Sequence, residues 1–103
     1  MVAAVGTVLA VEKPIAIGYV EMVTVLRAGG LRVVIFVDDH QPAHVHVFGD
    51  GQAKINLWGA GGSPELVWAE GMTRAEIRRA RPVVVAQQAL LLARWEDIHG
   101  RLD

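Results

Sequence analysis

His44-Val45-His46-Val47-Phe48-Gly49-Asp50-Gly51-Gln52-Ala53-Lys54-Ile55-Asn56 is the stretch on which the fold turns. Apolar and polar residues alternate on both sides of Gly49-Asp50-Gly51, the mark of two half-buried strands joined by a tight turn. Loop length sets the register. A two-residue loop at Asp50-Gly51 pairs Val47 with Lys54 and mixes apolar with charged residues on one face. A three-residue loop pairs Val47 with Ala53 and Val45 with Ile55. It also pairs His46 with Lys54 and His44 with Asn56 on the opposite face. Only the second choice keeps the faces distinct. It asks Gly51 to supply the left-handed residue of a bulged turn.

Upstream, residues 23–27 and 31–37 are β-rich runs flanking Gly29-Gly30, a two-residue hairpin signal. The second run is apolar at nearly every position, as expected of a strand covered on both faces. One cover is the helix described below; the other points to a dimer interface or a partner protein. Residues 15–20 are a candidate short extra strand.

Downstream, Gly59-Ala60-Gly61-Gly62-Ser63-Pro64 is a loop. It lacks the lysine and the following helix of a phosphate-binding loop. Glu65-Leu66-Val67-Trp68 reads as a fourth short strand. Thr73-Arg74-Ala75-Glu76 is a capping box that opens a helix. The apolar series Ile77, Ala80, Val84, Leu91, Trp95, Ile98 carries the helix to Gly100. Pro82 lies inside it: either the helix kinks there, or a first helix ends near Arg81 and Pro82 opens a second. The expected fold is α+β, an antiparallel meander of three or four strands with a C-terminal helix across one face.

The chain has 103 residues, net charge −1 and no cysteine. That is one domain with a modest core. Disulfides and thiolate zinc sites are excluded, and no global charge draws the chain to nucleic acid or membrane. The apolar start is interrupted at Glu12-Lys13-Pro14, far short of a membrane span. A cytoplasmic protein is therefore expected. Met22 directly precedes the first strong strand pattern, so residues 1–21 read as an extension or an over-called start, and 22–103 as the domain.

Three of the four histidines and two carboxylates fall within Asp38-Asp39-His40-Gln41-Pro42-Ala43-His44-Val45-His46-Val47. Alternate strand residues share a face, so His44 and His46 can converge on one divalent metal, with His40, Asp38 or Asp39 swinging in as third ligand. Lys54, opposite His46, opposes a cation. It also holds His46 neutral, which suits acid–base work or anion binding by His44, His46 and Lys54. The plain alternative is a polar face hydrogen-bonded to Asn56 and Gln52. Asp38 and Asp39 fit turn residues that satisfy local backbone donors.

Arg27 and Arg32 face each other across the Gly29-Gly30 hairpin, where like charges are unfavourable. Arg74, Arg78 and Arg81 share one helix face, and positive charge in a first turn opposes the helix dipole. These five arginines form a candidate binding patch for an acidic partner or a phosphate backbone. The alternative is a solvated face with Glu70 and Glu76 as local partners. Trp58, Trp68 and Trp95 read as core or interface aromatics, and His99 as compensation of the helix dipole.

Taken together, Thr24-Val25-Leu26-Arg27, Gln41-Pro42-Ala43-His44-Val45-His46-Val47, Gln52-Ala53-Lys54, Glu65-Leu66-Val67 and Leu91-Leu92-Ala93-Arg94-Trp95 resemble the bacterial domain-of-unknown-function family 4160 over about residues 22–100. The resemblance implies a small α+β domain with no established enzymatic activity. It also suggests a setting in two-gene, toxin–antitoxin-like pairs. Two departures stand out. Ala43 replaces a usual second proline, implying a less rigid loop, and Pro82 interrupts a usually continuous helix. The function expected first is a non-enzymatic interaction module that self-associates or meets a small partner through residues 31–37 and the arginine patch. The second is a metal- or histidine-dependent hydrolase, such as a ribonuclease, working through His40, His44 and His46 with Lys54 stabilising negative charge.

Overall fold

A computed structural model describes the backbone of residues 14–17 and 20–100, and side chains from residue 22 to residue 100. Six strands form one antiparallel sheet in chain order: β1 (Pro14–Ile17), β2 (Val20–Ala28), β3 (Leu31–Phe36), β4 (His44–Phe48), β5 (Gln52–Asn56) and β6 (Glu65–Glu70). Two helices follow, α1 (Arg74–Ala86) and α2 (Gln88–His99). The class is α+β as expected, but the strands outnumber the three or four expected. β1 lies within the stretch read as an extension, and β6 is an edge strand without clean alternation.

The registers follow the sequence closely. β4 and β5 pair His44 with Asn56, Val45 with Ile55, His46 with Lys54 and Val47 with Ala53. Around the β2–β3 turn, Arg27 faces Arg32 and both Gly29 (φ 59°) and Gly30 (φ 78°) are left-handed. Positive φ at both central residues is what a tight hairpin turn demands. Gly51 departs from expectation, because its φ is not in the left-handed region. Its requirement is space: a Cβ there would collide with the Glu70 carbonyl oxygen and the Gly71 backbone.

The helices cover one face. Ala80, Val83 and Val84 from α1 and Leu91 and Trp95 from α2 pack on Val33, Ile35, Val45, Val47 and Ile55. Val34, on the other face of β3, is equally buried. Its neighbours on that face, Arg32 and Phe36, are half-buried.

The capping box forms as read: the Glu76 N–H donates to Thr73 Oγ1 at 3.1 Å, and the Thr73 N–H donates to Glu76 Oε1 at 3.0 Å. The helix break does not fall at Pro82, which lies within α1. It falls at Gln87 (φ −116°, ψ 21°). The cause is tertiary. Gln88 Nε2 donates to the Leu57 and Gly62 carbonyls at 2.7 and 2.9 Å, pinning the start of α2 to the loop before β6. Gly100 ends α2 with a left-handed φ, as its position suggested. No helix among the described residues is long and apolar enough to cross a membrane.

Candidate metal centre

β3 hands the chain to a turn that returns as β4. Asp39 closes the turn, its N–H donating to the Phe36 carbonyl at 3.1 Å. Farther on, the Ala43 carbonyl accepts from the Leu57 N–H at 2.9 Å, tying the entry of β4 to the residue just past β5. His44 Nδ1 lies 2.8 Å from the Pro42 carbonyl. A carbonyl only accepts, so Nδ1 is the ring nitrogen that carries the hydrogen.

The other nitrogen of His44 then points to a carboxylate. Nε2 lies 3.0 Å from Asp39 Oδ2, and His46 Nε2 lies 3.7 Å from the same oxygen. One donor atom from each of Asp39, His44 and His46 falls within 4.8 Å of the others. Ligands about 2.0–2.1 Å from a tetrahedral zinc stand ~3.3 Å apart, so small side-chain adjustments suffice to close the set.

The surroundings are aromatic. The His44 ring lies 5.1 Å from Trp95 and 5.3 Å from His46. The His46 ring lies 4.8 Å from Phe36 and 6.0 Å from Trp68. His44 is 5% exposed. The His46 pKa is pushed below the ordinary imidazole value, chiefly by burial, against the pull of Asp39 and with smaller contributions from His44 and Lys54. Lysine repulsion, the cause expected from sequence, is thus the smallest. His46 is neutral near pH 7, with a lone pair to offer. Its Nδ1 and Asp39 Oδ2 are buried without a hydrogen-bond partner.

His40 stands apart, exposed on the turn. With Asp39, Gln41, Trp95 and His99 it lines a cleft of about 210 Å³ beside the centre. The ring nitrogens of His99 reach the carbonyls of Trp95 and Phe36, both at 3.1 Å, tying the last turn of α2 to the end of β3. Sequence reasoning offered Asp39 both as a local turn residue and as one of three possible third ligands; its N–H closes the turn and its carboxylate lies against the histidines. The usable signal was its spacing, five residues before His44.

The arginines divide between two elements. Arg32 lies over the Phe48 ring at 5.1 Å, beside Arg27 on the β2–β3 hairpin. Arg74, Arg78 and Arg81 are exposed on α1, whereas Arg79 turns away to donate to the Gly29 carbonyl at 3.2 Å. Of the tryptophans, Trp95 is core, Trp68 is half-buried near His46, and Trp58 is 65% exposed.

Fold and site together define a small α+β domain with a carboxylate–dihistidine cluster at one end of its sheet. The family model for the domain of unknown function DUF4160 matches residues 30–96, and the chain belongs to that family. No curated protein and no solved structure gives a significant match.

Proposed function

We propose that this domain binds a divalent metal ion through Asp39, His44 and His46. One observation carries the reading. With Nδ1 donating to the Pro42 carbonyl, the His44 Nε2 faces an Asp39 carboxylate oxygen at 3.0 Å. Only a cation between them, a proton on Nε2 or a shared metal ion, makes that approach favourable, and His46 Nε2 converging on the same oxygen supports the metal. A ring N–H donated to a backbone carbonyl is also the arrangement that orients metal-ligating histidines. Two histidines and one carboxylate suit zinc or ferrous iron, with positions left for water or substrate.

Lys54 modifies this centre rather than forbidding it. Its flexible stem lets the ammonium stand off, and its charge favours an anionic further ligand, such as hydroxide or a phosphate oxygen. Metal-activated water is the chemistry such a centre would supply to a hydrolase. The interaction reading rests on a different surface. Its candidates are the outer face of β3, where Arg32 and Phe36 are half-buried, and the exposed α1 arginine patch, either of which would meet the partner in a two-gene setting.

The test uses untagged protein purified without chelator. Metal analysis is expected to find about one zinc or iron per chain, and cobalt(II) added to metal-free protein to give the visible absorption of a low-symmetry site. On zinc addition the His44 and His46 ring ¹⁵N signals shift while His40 stays unchanged. His44→Ala with His46→Ala, or Asp39→Asn alone, removes binding, and His40→Ala keeps it. Absence of binding by folded wild type to zinc, cobalt, iron or manganese overturns the proposal.

A further inference from the structure

A second concavity lies on the opposite side of β5 from Lys54. Its floor is Ala53, Ile55 and Leu66, and its wall is the α1 segment from Ile77 to Pro82. The volume is about 290 Å³, and Leu66 is 40% exposed within it. The cleft owes its shape to β6. Lys54 pairs with Trp68 while Ile55 pairs with Leu66, leaving Val67 as an extra, bulged residue. The bulge keeps Leu66 on the helix side and Trp68 on the histidine side.

Charge here has one sign. Arg78 and Arg81 line the cleft, and Arg74 lies one turn back on the same helix face. Arg78 has no ion-pair partner among the described residues, and Arg81 donates from Nε to the Pro64 carbonyl at 3.0 Å. Nearby carboxylates are directed elsewhere. Glu65 and Glu70 pair with Asn56 and Gln52, which puts them on the histidine face. Glu76 is occupied by the Asp50 and Thr73 N–H groups. No carboxylate among the described residues lines the cleft.

From this complementarity we infer that the cleft docks an acidic amphipathic segment of a partner protein. An apolar side chain of the partner would sit on Leu66 and Ile77, above the buried Ile55, and flanking carboxylates would meet Arg78 and Arg81. An apolar floor with an arginine rim fits a peptide anchor. It lacks the aromatic platform on which nucleic-acid bases stack. The inference is independent of the metal centre.

The test follows labelled ten-residue peptides by fluorescence anisotropy and by amide NMR of the protein. One peptide carries a central leucine flanked by glutamates; its counterpart replaces every glutamate with lysine. The glutamate peptide is expected to bind, more weakly as salt rises, and to shift the Leu66, Ile77 and Arg78 amides. Arg78→Glu, at an exposed position, weakens it at least about tenfold, and Leu66→Ser weakens it in the same direction. Equal binding of the two peptides, or binding of neither, overturns the inference. So does binding of an RNA or DNA oligonucleotide at this site in place of the peptide. Self-association that Leu66→Glu abolishes overturns it as well, since a second copy would then be the occupant.

Discussion

The Glu76 carboxylate accepts the backbone N–H of Asp50 at 2.8 Å across 26 residues of chain. Its other oxygen holds the Thr73 N–H. One side chain therefore fixes both the start of α1 and the tip of the β4–β5 hairpin. These two backbone donors hold its carboxyl below the ordinary glutamate range. The unfolded chain then takes up a proton at higher pH than the folded one. The stabilisation is complete above the unfolded glutamate value of about 4.3 and is lost as pH falls through the lower folded value. Urea midpoints measured from about pH 3 to 7 are expected to fall in that acidic window. Glu76→Gln, which does not titrate, shows a flatter profile there.

Thr73 provides the reciprocal half of the box. Thr73→Ala leaves the Glu76 N–H without its cap and lowers stability by about 1 kcal/mol. Thr73→Ser retains most of it. Equilibrium denaturation of the two variants checks the pair.

Gly51 and Gly30 are demanded for different reasons, and alanine separates them. Gly51→Ala drives a methyl group into the Glu70 and Gly71 backbone, which is not a flexible obstacle. Gly30→Ala meets no atom within 4 Å and suffers only from its positive φ, at a cost of about 1–2 kcal/mol. Gly51→Ala is expected to be the more damaging of the two in thermal denaturation.

Pro82 sits inside α1 and supplies no N–H for the Arg78 carbonyl. Its side is exposed, so little packing compensates. Pro82→Ala is expected to stabilise the protein by about 1–3 kcal/mol. A raised melting temperature with unchanged helix content beyond Gln87 would show that the break there does not depend on the proline.

Trp95 joins the core to the proposed metal centre, with its ring 5.1 Å from His44 and 3.7 Å from His99, on which it stacks. Trp95→Ala is expected to cost about 3–5 kcal/mol in denaturation. Trp95→Phe costs less and retains metal binding, which calorimetry with zinc would read.

What the sequence disclosed is instructive in its pattern. The β4–β5 pairing was legible because a period of two and a short loop leave one consistent register. The Glu76 cap was legible because it is local. Which of His40, Asp38 and Asp39 would join His44 and His46 was not legible, because the direction of a loop side chain depends on how the turn folds back toward β4. The break at Gln87 was hidden for a similar reason. Its cause is a Gln88 side chain bonded to a loop some 30 residues earlier, whereas the sequence displayed the conspicuous Pro82. β6 was partly hidden because its bulge disrupts the alternation that marks a strand.

Asp39, His44 and His46 all come from one turn and the strand that follows it. Among the described residues, no helix and no second hairpin contributes a donor. A cation held there would act as a clasp on a short loop, closing few residues of chain and so removing little freedom from the unfolded state. Emptying the centre should leave sheet and helices standing. The eight residues from Asp39 to His46 are also compact enough to be transplanted. Grafted onto the end of an unrelated antiparallel sheet, they would carry the three donors with them, and whether zinc follows would show how much of the centre is written in the loop itself.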